Sequence, residues 1–370
     1  MRVLLHLAPL PLLEQEEART KGNKVEGLRQ RDLRASSKRW RFLHAYLSIV
    51  LVFLASLVFL FAWVRVAKRL GIVGQDVHKR DRPKVPEMAG VVVLPALLLG
   101  LALLYVISSD YFFKFGFVVL VAAFGWALGL ADDLLDLGAK PKFALSILIG
   151  LPIFAFVNPF EHSLLVPFMR PVHVPLAYPL LALALIGGTA NSFNSYDVVN
   201  GSTTFSAVAI SAVMAGLLFF RGALGLATVV GMVAAASLAL FLFNAYPAKV
   251  FIGDTGSFSL GAAIAAAAIA SDQESFLFIA ILPMIINAAA KFMSVGKIYE
   301  HHKEGVKITY VNEEGKIASF QGNGGISLVR LMVAPEPLSE LQVFIGLALA
   351  ELLSISLALV LVPFFGVPVW

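Results

Sequence analysis

Apolar residues run along this chain in blocks of about 17 to 24, parted by short polar segments, which is the length a helix needs to cross ~30 Å of hydrocarbon. Read as helices, the blocks fall near 42–64, 89–108, 115–131, 143–157, 176–190, 205–220, 224–243, 259–271, 275–295 and 341–363. The pattern predicts an all-α integral membrane protein with about ten transmembrane helices. Its one sizeable extramembrane piece is 296–340, where Val306 to Phe320 alternates around Asn312-Glu313-Glu314-Gly315 and predicts a small β-hairpin.

Composition sharpens this picture. Hydrophobic residues make up 59% of the 370 and charged residues 14%, against roughly 45–50% and about 25% in a soluble domain, so one buried core cannot absorb them. The absence of cysteine excludes disulfides, iron–sulfur clusters and thiolate metal sites, leaving oxygen ligands or some of the seven His for any metal.

Charge then gives sidedness. If the spans alternate, segments 65–88, 132–142, 191–204, 244–258 and 296–340 share one side and carry seven, two, zero, one and five Lys/Arg. The loops opposite hold only Lys114, Arg170 and Arg221. The positive-inside bias places the five segments in the cytoplasm, and the unusual polar clusters lie in them. Residues 1–41, with ten Lys/Arg and five acids, precede the membrane domain 42–370. They read as a basic tail, disordered or from a misassigned start, because no small-residue cleavage site follows the apolar Val3 to Leu13.

In 132–142, Asp132 and Asp133 leave the membrane side by side, with Asp136 one turn on and Lys142 behind. Carboxylates this close repel, and hard oxygen ligands at such density suit magnesium or manganese; a solvated helix end is the plain alternative. Lys142 reads as an interfacial anchor or as a point charge for phosphate. In 191–204, Asn191, Asn194 and Asp197 recur every third position, on one helical face before Asn200-Gly201. They can ligate a metal, hold a sugar or bond a neighbouring helix. In 244–258, Asp254 sits between glycines, and Gly256-Ser257 are expected to open a helix whose amides favour phosphate; a turn cap is the plain account. In 65–88 a basic run holding Lys79 and Arg82 leads to Pro86-Glu87 and suits anionic headgroups or a lipid phosphate. His301-His302 beside Lys303 suit phosphate or metal, or form a solvated turn. Glu351 falls midway along the last span, where an ionisable group costs ~2.5–3.5 kcal/mol on insertion scales.

In order, spacing and shared side, these clusters resemble the polyprenyl-phosphate N-acetylhexosamine-1-phosphate transferase family over residues 45–320. The most specific elements are Asp132-Asp133 with Asp136, the Asn191/Asn194 segment ending at Asn200-Gly201, and Pro247-Ala-Lys-Val-Phe-Ile-Gly-Asp254-Thr-Gly-Ser. Lys79 to Gly90 looks closest to the eukaryotic and archaeal dolichyl-phosphate branch, whereas Gly253 to Gly261 looks more bacterial; an archaeal member would reconcile them. The resemblance implies transfer of GlcNAc-1-phosphate from UDP-GlcNAc to a polyprenyl phosphate, dolichyl phosphate first, with release of UMP. That is the first membrane step of lipid-linked glycan assembly.

By the same resemblance, Asn194 and Asp254 would hold Mg2+, or Mn2+, on the diphosphate that Lys142 contacts. Asp132 and Asp133 would act near the lipid phosphate, Asn191 would face the nucleotide, Glu87 the sugar, and His301 or His302 phosphate or sugar. Lys79, Arg82, Asp136, Asp197 and Asn200 complete the expected substrate-binding set. The sequence departs from the family in His301-His302-Lys303, where members often show His-x-His or Arg-His-Arg, and in Asp197-Val-Val, where bacterial relatives favour Asp-Gly. The expected partners are the two substrates and the bilayer of the cell membrane, or of the endoplasmic reticulum in a eukaryote, with no nucleic acid and with a homodimer left open.

A prenyl phosphate stays in the bilayer and a nucleotide sugar in water, so their reaction needs a site at the membrane face, where these clusters lie. Two readings stand beside this one. The first is a bacterial-type transferase using undecaprenyl phosphate or another UDP-N-acetylhexosamine. The second is an ion-coupled transporter using Glu351, disfavoured because the acids sit in loops on one side and not along a path through the midplane.

Overall fold

Hydrocarbon offers a backbone amide no water to bond, so apolar runs of this length satisfy their amides internally as helices. The computed structural model describes residues 12–107, 112–156, 163–164, 172–295, 308–320 and 325–361. Its helices are α1 (Leu12–Leu70), α2 (Val93–Ile107), α3 (Phe112–Leu135), α4 (Ala139–Ser146), α5 (Ile153–Phe156), α6 (Tyr178–Tyr196) and α7 (Ser202–Phe220). There follow α8 (Leu224–Asn244), α9 (Gly253–Ala270), α10 (Glu274–Ala280), α11 (Leu282–Val295), α12 (Leu328–Met332) and α13 (Glu340–Leu361). Met1–Tyr46 forms a unit by itself; Leu47–Trp370 forms a second, which holds the features below apart from the first residues of the span Phe42–Leu70.

Among the described residues five helices are long and apolar enough to cross a membrane: Phe42–Leu70, Gly116–Leu135, Ser202–Phe220, Leu224–Asn244 and Glu340–Leu361. A sixth arises if α10 and α11, bent by 59° at their junction, count as one span. The expected count was ten. The interval 143–157 is not one helix: α4 gives way to a 3-10 turn at Ile147–Gly150, and α5 follows Pro152. The apolar helix spanning Ala89–Tyr105 is short, α6 carries Asn and Ser in its apolar background, and α9 carries Asp, Thr and Ser in its first turns.

The centre of the second unit is α9. Every residue from Thr255 to Ile269 is buried, and the run is mostly Ala, Gly and Ser, so neighbouring backbones approach closely. α9 packs most extensively against α3 and then α6. Ahead of it, residues 86–90 run beside 251–252: Phe251 N–H donates to Pro86 O at 2.8 Å, Ala89 N–H to Phe251 O at 2.9 Å and Gly90 N–H to Ile252 O at 2.8 Å. A Cβ on Gly90 would lie 2.0 Å from the Gly256 nitrogen, so only glycine fits.

Among the described residues, three two-stranded antiparallel sheets complete the fold. The expected hairpin is present as β5 (Thr309–Val311) and β6 (Ile317–Ser319), its turn held by Asn312 Oδ1 accepting from Glu314 and Lys316 N–H. A hairpin the alternation does not announce, β1 (Val73–Gln75) with β2 (Lys84–Pro86), closes the basic segment after α1. The third pairs β3 (Ser163–Leu164) with β4 (Val172–His173).

Candidate active site

The last turn of α3, the start of α4 and the first turn of α9 converge on one ammonium group. Lys142 pairs with Asp132 and lies 2.6 Å from Asp254 Oδ2, joining residues that the chain separates widely. Burial pulls the Lys142 pKa down, but Asp254 and Asp132 outweigh it, so its net displacement is upward and the ammonium persists. Burial works equally against the Asp254 anion, yet contacts from Asp132, Lys142 and Asn194 hold its pKa below the ordinary carboxylate value. Asp132 is buried, and its Oδ1 has no hydrogen-bond partner among the described residues.

Asp133 is used differently. Its Oδ1 accepts the Asp254 N–H at 2.8 Å, and its Oδ2 accepts the Thr255 N–H at 2.9 Å and the Thr255 hydroxyl at 2.5 Å. These are amides that a helix N-terminus leaves without intrahelical partners. Gly253 turns into the helix at φ 68, where an added Cβ would stand 2.8 Å from Asp133 Oδ2. The helix expected to open at Gly256-Ser257 therefore opens at Gly253 and carries Asp254 in its first turn.

Asn191 and Asn194 lie on α6, as their spacing predicts. Asn194 Nδ2 donates to Ser257 Oγ at 3.1 Å, which leaves its amide oxygen for a cation. Asn191 Nδ2 donates to Ser146 Oγ at 2.5 Å and to Gly187 O at 2.8 Å, tying α6 to the helix that bears Lys142. Asp197 does not extend this face: the helix ends at Tyr196 and Asp197 caps it with ψ 65. Its side chain is exposed at the surface. Partial desolvation by the surrounding protein and the acids Asp254, Asp133 and Glu87 push it up to about 7, against a hydrogen bond with Thr203. Asp132 and Asp254 flank Lys142, Asp133 holds the Asp254 amide, and Asp197 feels the charges of Asp254, Asp133 and Glu87, so the linked acids outnumber the one ammonium. Asp254, the Asn194 amide oxygen and the orphaned Asp132 oxygen form a hard donor set that fits magnesium or manganese.

Other expected residues lie apart from this group. Lys79 pairs with Asp76 and lies 3.7 Å from Glu340 Oε2, with its ammonium 5.1 Å from the centre of the Tyr246 ring. Asn200 joins the same cluster, donating from Nδ2 to Asp76 Oδ2 and from its backbone N–H to Glu340 Oε1, both at 3.0 Å. Both side chains expected at a substrate are therefore engaged by buried carboxylates. Arg82 and Asp136 are exposed, each in the left-handed backbone region. His301 and His302 lie outside the described residues. The roles of Ser146, Asp76 and Glu340 emerge only from the structure; Thr255 and Ser257 were visible as part of Gly-Asp-Thr-Gly-Ser, whereas nothing local marks Glu340 as a partner of Asp76.

Residues 115–272 match the model of glycosyl transferase family 4. The likeness is to a family of transferases. The match takes in Asp132, Asp133, Lys142, Asn194 and Asp254 and leaves out the hairpin of β1 and β2. Among curated proteins, the chain is 27% identical over 289 residues to the phospho-N-acetylmuramoyl-pentapeptide-transferase of Streptococcus pneumoniae strain 70585, covering 74% of this chain and 88% of that protein. The protein of the same name from strain CGSP14 is 28% identical over the same length. These likenesses support a transferase of the polyprenyl-phosphate phospho-sugar kind, and with the apolar helices they support an integral membrane protein.

Proposed function

We propose that this chain transfers an N-acetylhexosamine 1-phosphate from a uridine diphosphate donor to a polyprenyl phosphate, at the cytoplasmic face of a bilayer that about ten helical segments cross. The observation that carries the proposal is Lys142 held between Asp132 and Asp254 at the end of a helix bundle, where a nucleotide in water and a phosphate in lipid can meet. An oxygen of the lipid phosphate attacks the β-phosphorus of the donor, the bond from that phosphorus to the UMP oxygen breaks, and UMP leaves as the lipid diphosphate sugar forms.

Asp132 orients the attacking phosphate or takes its proton. Lys142 turns from its carboxylates toward the diphosphate as a point charge. Asp254 and Asn194 offer oxygens to magnesium or manganese, which when bound offsets the negative charge of the diphosphate and of departing UMP. Asp133 holds the start of α9, and thereby Asp254, in place. Asn191 fixes α4 against α6 on the nucleotide side, Glu87 and Asp197 face the sugar, and His301 or His302 contributes to phosphate or sugar.

For donor and acceptor two readings stand on different observations. The Streptococcus relatives favour a bacterial-type enzyme, with undecaprenyl phosphate as acceptor and a muramoyl-pentapeptide donor of the kind their name describes. The Lys79 to Gly90 segment favours UDP-GlcNAc and dolichyl phosphate. The test is UMP release by purified protein offered each donor with each acceptor and magnesium, beside Asp254→Ala, Asp132→Asn and a no-lipid control. Lipid-dependent UMP that disappears on chelation and in both variants is the expected result. A folded protein that releases no UMP from any pair sinks the proposal.

A further inference from the structure

Away from Lys142, the fold brings together a second set of side chains able to ligate a metal. Asp76 and His78 follow β1, and Glu340 sits in the first turn of α13. One ligand atom from each lies within 4.8 Å of the other two. Asp76 is 2% exposed and Glu340 4%, which shields the set from water.

The hydrogen bonds around these residues leave one side of the set open. Asp76 Oδ2 is taken by Asn200 and Lys79, whereas Oδ1 receives only a long 3.3 Å contact from the His78 N–H. Glu340 Oε1 is taken by the Asn200 N–H, whereas Oε2 is buried with no hydrogen-bond partner, its nearest cation being Lys79 at 3.7 Å. Among the described residues no hydrogen bond reaches the His78 ring. Two carboxylates against one ammonium leave a negative charge over in a place that water scarcely reaches, and an unmet carboxylate oxygen there is costly unless a cation faces it.

We propose that Asp76, His78 and Glu340 form a second cation site, for a divalent transition metal of the zinc or manganese class. Imidazole beside two carboxylates selects such ions over magnesium and calcium, which prefer oxygen alone. Three protein ligands leave a fourth position to water. Lys79 stays beside the site as a counter-ion, and Asn200 bonds the outer oxygens of both carboxylates. A metal here staples the basic 76–83 loop to the start of α13. This inference goes beyond the transferase reading and does not rest on it.

The test uses the full chain in detergent, stripped with chelator and dialysed against zinc with magnesium in large excess to fill any oxygen-only site. Zinc per chain is then measured by elemental analysis. The expected result is one zinc in the wild type and in Asp254→Ala, with zinc affinity falling by on the order of tenfold or more in His78→Ala and in Glu340→Gln. Zinc should also raise the melting temperature of the wild type and leave that of His78→Ala unmoved. His78→Ala removes a side chain without hydrogen bonds, so its melting in chelator should match the wild type and keep the comparison valid if Glu340→Gln misfolds. Equal zinc in the wild type and His78→Ala, no zinc in the wild type, or zinc lost with Asp254→Ala alone would each overturn the inference.

Discussion

Asp133 and Thr255 are joined twice: one carboxylate oxygen accepts both the backbone N–H and the hydroxyl of the same residue, at 2.9 and 2.5 Å. With the Asp254 N–H on its other oxygen, Asp133 caps α9 from a different helix. An N-cap contributes about 1 kcal/mol and a hydrogen bond to a charged group about 1.5–3. Asp133→Asn should therefore lower stability by about 2 kcal/mol or more, and Thr255→Val by about 1–2, read as thermal unfolding in detergent. An Asp133→Asn protein that melts like the wild type but transfers no phospho-sugar would move Asp133 from architecture to chemistry.

Lys142 keeps two carboxylates together, so its loss should be felt at both. Lys142→Ala leaves Asp132 and Asp254 facing each other without a cation and removes the proposed diphosphate contact. Transfer should fall by on the order of 100-fold or more, and Lys142→Arg should recover part of it as a bulkier charge. A Lys142→Ala enzyme within about threefold of wild type contradicts the role given to this residue.

How far could these roles be read before folding? The residue types could, because adjacent acids, a lysine and an acid between glycines are rare in so apolar a chain. Asp132 and Asp133 could not be told apart: they are identical neighbours, and only the helix direction sends one to Lys142 and the other to α9. Lys79 and Asn200 were legible as polar residues in a membrane-face loop, but their partners Asp76 and Glu340 are set by packing across the molecule. Periodicity found each long apolar helix but not the first half of α1, which is helical from Leu12 although its charged, polar sequence reads as a tail because no apolar stripe marks it. It missed the break after α4 because Pro152 and the 3-10 turn interrupt a run whose hydrophobicity continues, and it missed β1 and β2 because the charged run between them, with Pro83 before β2 and Pro86 inside it, hides the alternation that the Asn-Glu-Glu-Gly turn makes plain between β5 and β6.

The acid at the end of α6 makes a pH prediction. Asp197 has an ordinary value of 3.8 and is held up to about 7 in the fold. The folded state therefore binds a proton that the unfolded chain has released, and stability falls as pH rises from about 4 to about 7. Asp197→Asn carries no such proton. In chelator, its melting temperature relative to wild type should rise across that window and level off above it. A difference flat from pH 4 to 8 would show that Asp197 titrates normally.

Close approach can be tested with single methyl groups. Gly90→Ala would drive a Cβ to 2.0 Å from the Gly256 nitrogen and 2.1 Å from its Cα, both backbone atoms that cannot step aside. It should cost about 1–3 kcal/mol or more and disturb the turn that presents Asp254. Gly188→Ala, within α6 and with nothing within 4 Å of the added carbon, should melt and turn over like the wild type. Equal behaviour of the two variants would refute the packing described between residues 86–90 and the start of α9.

Asp254 hangs from a helix whose next fifteen residues, Thr255 to Ile269, are all wrapped in protein. Such a helix has no lipid neighbours along that stretch. Bilayers of different thickness or headgroup act first on the outer surfaces of α1 and α13, where large apolar side chains are exposed. The acid at the centre of the proposed reaction is insulated from them, so the outer helices can be retuned for a new lipid while the proposed chemistry keeps its footing.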